Sequence, residues 1–225
     1  MRKIRHVAKW IGERPYRVTK WYVLKRVKSR NFTIISNNCW AGKVYQYFGM
    51  PYLSPTVGLY FFADDYLKFI MDLHHYLGTE MQFIPACESR YARELEKRKQ
   101  LHVPVGVLDD IEVIFLHYSS EQEAKEKWHR RTERINWNNM FIKFSRMNFC
   151  TDEHIKRFAS IPFSNKFVFN IIPQAEYSCE YHWKGPQNEY EILSDTNPFP
   201  GNISLKRLLQ VKRERYQEQG LKRER

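Results

Sequence analysis

From Phe32 to Ile172 short apolar runs, rich in β-branched and aromatic residues, alternate with amphipathic helical patterns. This alternation constrains the fold more than any other feature of the chain. Phe32-Thr33-Ile34-Ile35 reads as a buried strand. Ser36-Asn37-Asn38 ends it, and the helix that follows, from Cys39-Trp40 to Phe48, is stopped by Gly49-Met50-Pro51. Asp64 is the expected cap of a second helix, whose Tyr66, Phe69, Ile70, Leu73 and Leu77 share one face. Residues 81–84, 103–108, 111–118, 140–144 and 167–172 read as further strands. Ser120 with Glu123 forms a capping box that opens a charged helix to about Ile135, and Thr151 caps another. The pattern implies an α/β fold, a three-layer sandwich in which a largely parallel or mixed sheet carries helices on both faces.

The 225 residues are 43% hydrophobic and 16% aromatic, enough for one substantial core. No window holds the ~18 uninterrupted apolar residues of a membrane span, and no apolar signal-peptide core opens the chain. A cytoplasmic location is therefore expected. Cys39, Cys87, Cys150 and Cys179 are scattered, which argues against a disulfide scaffold or a structural zinc site. The net charge of +12 is concentrated at the ends. Residues 1–30 hold eleven Lys and Arg against Glu13 alone, and residues 206–225 hold eight against three Glu. The body between them is mildly acidic. Three segments are expected: a basic one at 1–30, a single α/β domain at 31–205, and a basic helix or tail at 206–225, its helix beginning near Ile203. A folded body without a basic face argues against nucleic-acid binding. Basic ends, the first of them interleaved with Trp10, Trp21 and Tyr22, suit an anionic membrane surface, peripherally on its inner face, or an acidic partner.

Ile35-Ser36-Asn37-Asn38-Cys39-Trp40-Ala41-Gly42 resembles the opening motif of a bacterial family of unknown function commonly labelled exopolysaccharide biosynthesis protein. Three further blocks look like the same family. One is Ser54-Pro55-Thr56-Val57-Gly58-Leu59 with Asp65-Tyr66-Leu67-Lys68-Phe69. Another is Pro104-Val105-Gly106 leading to His117-Tyr118. The last runs from Glu123-Ala124 through Lys127-Trp128 and Arg130-Arg131 to Arg134-Ile135-Asn136. The resemblance covers about residues 32–172. It implies a three-layer α/β fold and a role in capsule or exopolysaccharide production, with a polysaccharide precursor as partner, and it supplies no reaction. Ala41 stands where Gly is usual and Asn138 where Asp is common.

Small polar residues that follow a buried strand at a helix start occupy the position where α/β proteins bind ligands. Ser36 or Cys39 is the candidate nucleophile, Cys39 because the positive end of the helix dipole favours thiolate. Asn37 and Asn38 are candidate donors to an oxyanion or ligand; in the competing reading they cap the helix and Cys39 packs in the core. His117 is the candidate general base, with a buried, backbone-bonded histidine as the alternative. Lys127, Arg130, Arg131 and Arg134 recur at helical spacing as a cationic stripe, and the three arginines are expected to clamp phosphates. The expected cofactor is a coenzyme A thioester or a nucleotide sugar. Acyl transfer to a polysaccharide precursor is the leading expectation. A metal-dependent glycosyl or phosphoglycosyl transfer, using Asp109, Asp110 and Glu112, and a non-catalytic docking role are its rivals.

Overall fold

The computed structural model describes residues 31–174 and 176–195. The basic segments at 1–30 and 206–225, and the helix expected near Ile203, lie outside the described residues. In chain order the elements are β1 (Thr33–Ser36), α1 (Trp40–Phe48), α2 (Ala63–Met71), α3 (Leu73–Gly78), β2 (Gln82–Ile84) and α4 (Ala92–Lys97). They continue with β3 (Val105–Leu108), β4 (Ile111–Ile114), α5 (Glu121–Thr132), β5 (Met140–Ser145), α6 (Asp152–Ser160), β6 (Lys166–Asn170) and β7 (Glu180–His182).

The chain is α/β, with its strands in two sheets. One is four-stranded and wholly parallel, in the order β1-β5-β6-β7. The other is a three-stranded antiparallel meander, β2-β3-β4. The meander separates because β3 and β4 are joined by the Asp109–Asp110 turn, where Asp109 takes a left-handed φ of 55°. A turn that tight pairs its flanking strands with each other.

Both faces of the parallel sheet are apolar, as expected when helices cover them. Ile35, Ile142, Phe144 and Val168 pack with Tyr66, Phe69 and Ile70 of α2, Trp128 of α5, and Ile155 and Phe158 of α6. Ile34, Phe141, Phe167 and Phe169 pack with Trp40, Val44 and Tyr45 of α1. β1 is an edge strand, and side chains satisfy its outer edge. Tyr45 Oη accepts from Ile34 N and donates to the Phe32 carbonyl, while Thr56 Oγ1 accepts from Ser36 N. Among the described residues, an edge bonded in this way is blunted against pairing with another chain.

Several elements differ from the sequence reading. The helix expected from Asp64 to Leu77 breaks at Asp72 (φ −139°, ψ 66°), whose carboxylate caps α3 by accepting from His75 N. The residue preceding α2 is Phe62 rather than Asp64, so the apolar segment feeding the helix sets its start. Ser120 caps α5 through Glu123 N as expected; the reciprocal carboxylate bond goes to Ser119 N. The strand expected at 111–118 ends at Ile114, which takes His117 out of strand geometry. α4 and β7 had no readable apolar pattern.

Candidate functional site

The Ser36–Cys39 turn lies at the C-terminal ends of β1 and β5, and its side chains are consumed in holding those ends together. Asn37 extends the parallel pairing beyond Ser36: its Nδ2 donates to Ser145 O and its Oδ1 accepts from Ser145 N, both at 3.0 Å. Asn38 Oδ1 accepts from Trp40 N and so caps α1 in an Asx turn; the same oxygen takes bonds from Ser36 Oγ and Lys143 Nζ. Lys143, Asp195, Ser36 and Asn37 are almost completely buried. The turn is a structural hub, and Ser36 Oγ spends its proton on Asn38.

Cys39 is the turn residue that reaches a cavity. This cavity, of about 360 Å³, is bounded on the α1 side by Cys39, Gly42, Lys43 and Gln46. Tyr52, Val57 and Gly58 form another wall, and His117, Tyr118, Lys127 and Arg131 close it. Cys39 and Lys43 share the cavity face of α1 because they are four residues apart. Gly42 and Gly58 are there for space. A Cβ on Gly42 would meet Val57 Cγ1 at 2.9 Å, and Gly58 has a φ of 82° with Tyr118 at its back.

Arg131 dominates the electrostatics of this cavity. Only 6% of its surface is exposed. Its Nη1 donates to Val57 O at 3.0 Å and to the Tyr118 hydroxyl, and its guanidinium lies 4.9 Å from the Tyr52 ring centroid. These partners are neutral. Among the described residues Arg131 makes no ion pair, and its Nε and Nη2 bond to no protein acceptor. Lys43 likewise has no ion pair among the described residues, whereas Lys127 is held by Glu123. A guanidinium this buried is costly unless an anion completes it. Its free edge has the planar fork geometry that suits phosphate or carboxylate.

The thiol of Cys39 behaves opposite to the helix-dipole expectation. Burial pushes its pKa up to about 11, with the Asp195 carboxylate adding to the rise and Lys43 and Lys143 opposing it. It is a thiol at neutral pH, placed to donate weakly to Leu59 O at 3.7 Å. Desolvation wins because it is the largest effect on the thiol, and the Asp195 carboxylate acts in the same direction against Lys43 and Lys143.

The cavity therefore brings together Cys39, His117 and Arg131 from the expected set. Ser36, Asn37 and Asn38 sit behind it in the core. The four-residue stripe on α5 divides. Arg131 follows Ala124 and Trp128 on the buried face, and Lys127 reaches the cavity rim. Arg130 and Arg134 are exposed and line no part of it, Arg134 because α5 ends at Thr132. His117 is an exposed turn residue on the cavity wall instead of a strand residue on the face of Val113 and Phe115. The acids considered for a metal are engaged separately. Asp109 pairs with His75, Asp110 with Lys68 and Tyr76, and the buried Glu112 with Ser89 and Arg90. Sequence reasoning missed Lys43, Gln46 and Tyr52 in the cavity, and Lys143 and Asp195 beneath it. A lysine inside the apolar run Met140–Phe144 was a legible signal for a buried partner. Nothing in the sequence near Asp195 identified it as that partner.

A family model described as "Domain of unknown function (DUF1919)" matches residues 15–210. An "Uncharacterized protein" of Haemophilus influenzae is 32% identical over 168 residues, 75% of either chain.

Proposed function

Because the chain belongs to the family of the domain of unknown function DUF1919, a family whose description carries no reaction, we propose an activity from the cavity itself. It is a phosphate-binding site of a transferase that modifies a polysaccharide precursor in exopolysaccharide or capsule production. The observation that carries this reading is Arg131, a buried guanidinium whose partners among the described residues are all neutral and whose Nε and Nη2 bond to no acceptor there.

A coenzyme A thioester supplies the phosphates such a site requires. Arg131 and Lys43 hold them, and His117 at the cavity wall accepts the proton of an acceptor hydroxyl as its oxygen attacks the thioester carbonyl. The new C–O bond forms, the C–S bond breaks, and the leaving thiolate takes up a proton. This is direct transfer. Cys39, kept protonated by burial, forms part of the wall rather than a covalent intermediate. In this reading the protein works in the cytoplasm at the inner face of the membrane, drawn there by the basic residues in 1–30 and 206–225. Among the described residues no helix is long and apolar enough to cross a membrane.

The test is a thermal-shift screen of the full chain against coenzyme A thioesters, nucleotide sugars and inorganic pyrophosphate, with and without divalent metal. A bound ligand raises the melting temperature by mass action. The expected result is a metal-independent shift with a thioester that weakens at least ~10-fold in apparent affinity in Arg131→Ala and is only partly kept in Arg131→Lys. A shift with nucleotide sugar that needs metal transfers the assignment to glycosyl transfer. Silence from every phosphate compound rejects the site and favours a docking protein.

A further inference from the structure

Beneath the cavity, and independent of Arg131, lies a second group of charges. Lys143 belongs to β5, paired in register with Ser36 of β1, and has 0% exposure. Its ammonium lies 5.7 Å from the Trp40 ring centroid and 5.3 Å from that of Phe169. Burial pulls this amine below its ordinary range, and the carboxylate of Asp195 works against that fall. Asp195 is itself 1% exposed and comes from a segment far along the chain. Its Oδ2 accepts from Lys143 Nζ and Ser145 Oγ, and both of its oxygens lie 2.9 Å from Asn38 Nδ2. Ammonium, hydroxyl and amide thus converge on one carboxylate from the C-terminal half of β5 and the turn that opens α1.

The segment that brings Asp195 in is attached to the residues just after β5, where Arg146 Nε donates to Tyr190 O. Ile192 is buried and donates its N–H to Arg146 O, Leu193 N donates to Pro186 O, and Glu191 accepts from Asn148 N. Tyr190 and Leu193 face solvent. The donors that receive Asp195, Lys143 and Ser145 of β5 and Asn38 of the Ser36–Cys39 turn, all lie outside this segment. They also lie at the carboxyl ends of parallel strands, where open α/β sheets take up their ligands.

From this convergence we infer that the C-terminal edge of the parallel sheet is a carboxylate-binding site whose occupant is the side chain of Asp195, the segment from Gly185 to Asp195 acting as a tethered ligand. The donor set is complementary to a carboxylate as such. With the side chain cut back, it takes a free carboxylate of the same size. A buried ammonium without a counter-charge is strongly unfavourable, and this is what drives an exogenous anion into the vacated space.

The experiment uses the full chain with Asp195→Ala, which removes a group the size of formate. The variant is expected to melt below the parent. Formate is expected to raise its melting temperature saturably, and an equal concentration of chloride is not. At an apparent Kd of ~10 mM, ~100 mM formate stabilises the folded state about tenfold, a shift of about 3 °C for a chain of this size. The formate response should be absent in Asp195→Asn, where the space stays filled, and in Lys143→Met/Asp195→Ala, where the cation is gone. A response of equal size in either control, or none in Asp195→Ala, overturns the inference. Should Asp195→Ala not fold in plain buffer, refolding yield in formate against chloride decides: selective recovery by formate supports the site, and equal yields overturn it. The parent's thioester shift reports separately on Arg131, so either assignment can fail alone.

Discussion

At the scale of single residues, the cavity turns on how burial treats two adjacent chemistries. A guanidinium does not shed its charge in proteins, so burial among neutral partners converts the Arg131 side chain into a demand for an anion. A thiol can respond by holding its proton, and Cys39 does so. With a pKa near 11 against 9.0 for a free thiol, thiolate at pH 8 is about a hundredfold scarcer than in an ordinary cysteine. Alkylation of Cys39 by iodoacetamide should therefore be about a hundredfold slower at pH 8 than that of free cysteine, and should accelerate toward pH 11. Peptide mass spectrometry follows the Cys39 site. The same state predicts that Cys39→Ser keeps turnover within a few-fold while His117→Asn loses about a hundredfold. If Cys39→Ser abolishes turnover while ligand binding survives, the reaction is covalent after all.

At the scale of elements, helix α1 and the loop through Val57 define the cavity by their closeness. Gly42→Ala would improve helix propensity by about 1 kcal/mol. Its new methyl meets Val57, a stiff β-branched residue that is 5% exposed and 2.9 Å away, and overpacking of that kind costs about 1–3 kcal/mol. The clash outweighs the propensity gain. Val57 also supplies the carbonyl that holds Arg131 Nη1, so the variant should lose both thermal stability and affinity for the phosphate ligand. A stabilised variant with unchanged binding would show that α1 can move away freely. Elements with strong local signals were legible: β1, α1, the Ser120 cap, β5 and the Thr151-led helix all follow from apolar runs and capping residues. Misread elements were those settled by tertiary context. Asp72 breaks a pattern whose apolar spacing continues unbroken, and β7 is held by pairing with β6 rather than by its own sequence. For the site, Cys39, His117 and Arg131 could be singled out because their chemistry is conspicuous at any burial. Tyr52 and Asp195 could not, since their roles come from a fold that brings distant segments together.

At the scale of the whole molecule, charge and structure are divided between different parts of the chain. Basic residues gather in 1–30 and 206–225, and the body between them is mildly acidic. If the ends bring the protein to an anionic surface, replacing Arg14, Arg17, Lys20, Lys25 and Arg26 with Gln in the full chain should weaken binding to anionic lipid vesicles at least ~10-fold, at about 1 kcal/mol per charge near the surface. The melting temperature and the thioester shift should not change. Equal vesicle binding by parent and variant would remove the membrane from the proposal.

The order of strands also governs assembly during synthesis. β1 pairs with β5, and α1 to α5 with the whole meander lie between them in sequence. The β3–β4 hairpin closes a two-residue turn and can form early, whereas β1 must wait for a distant partner. Its outer-edge bonds come from Tyr45 and Thr56, at sequence separations of 11 to 22 residues. The first strand therefore meets its guards soon after leaving the ribosome, while the chain that will complete its sheet is still being made.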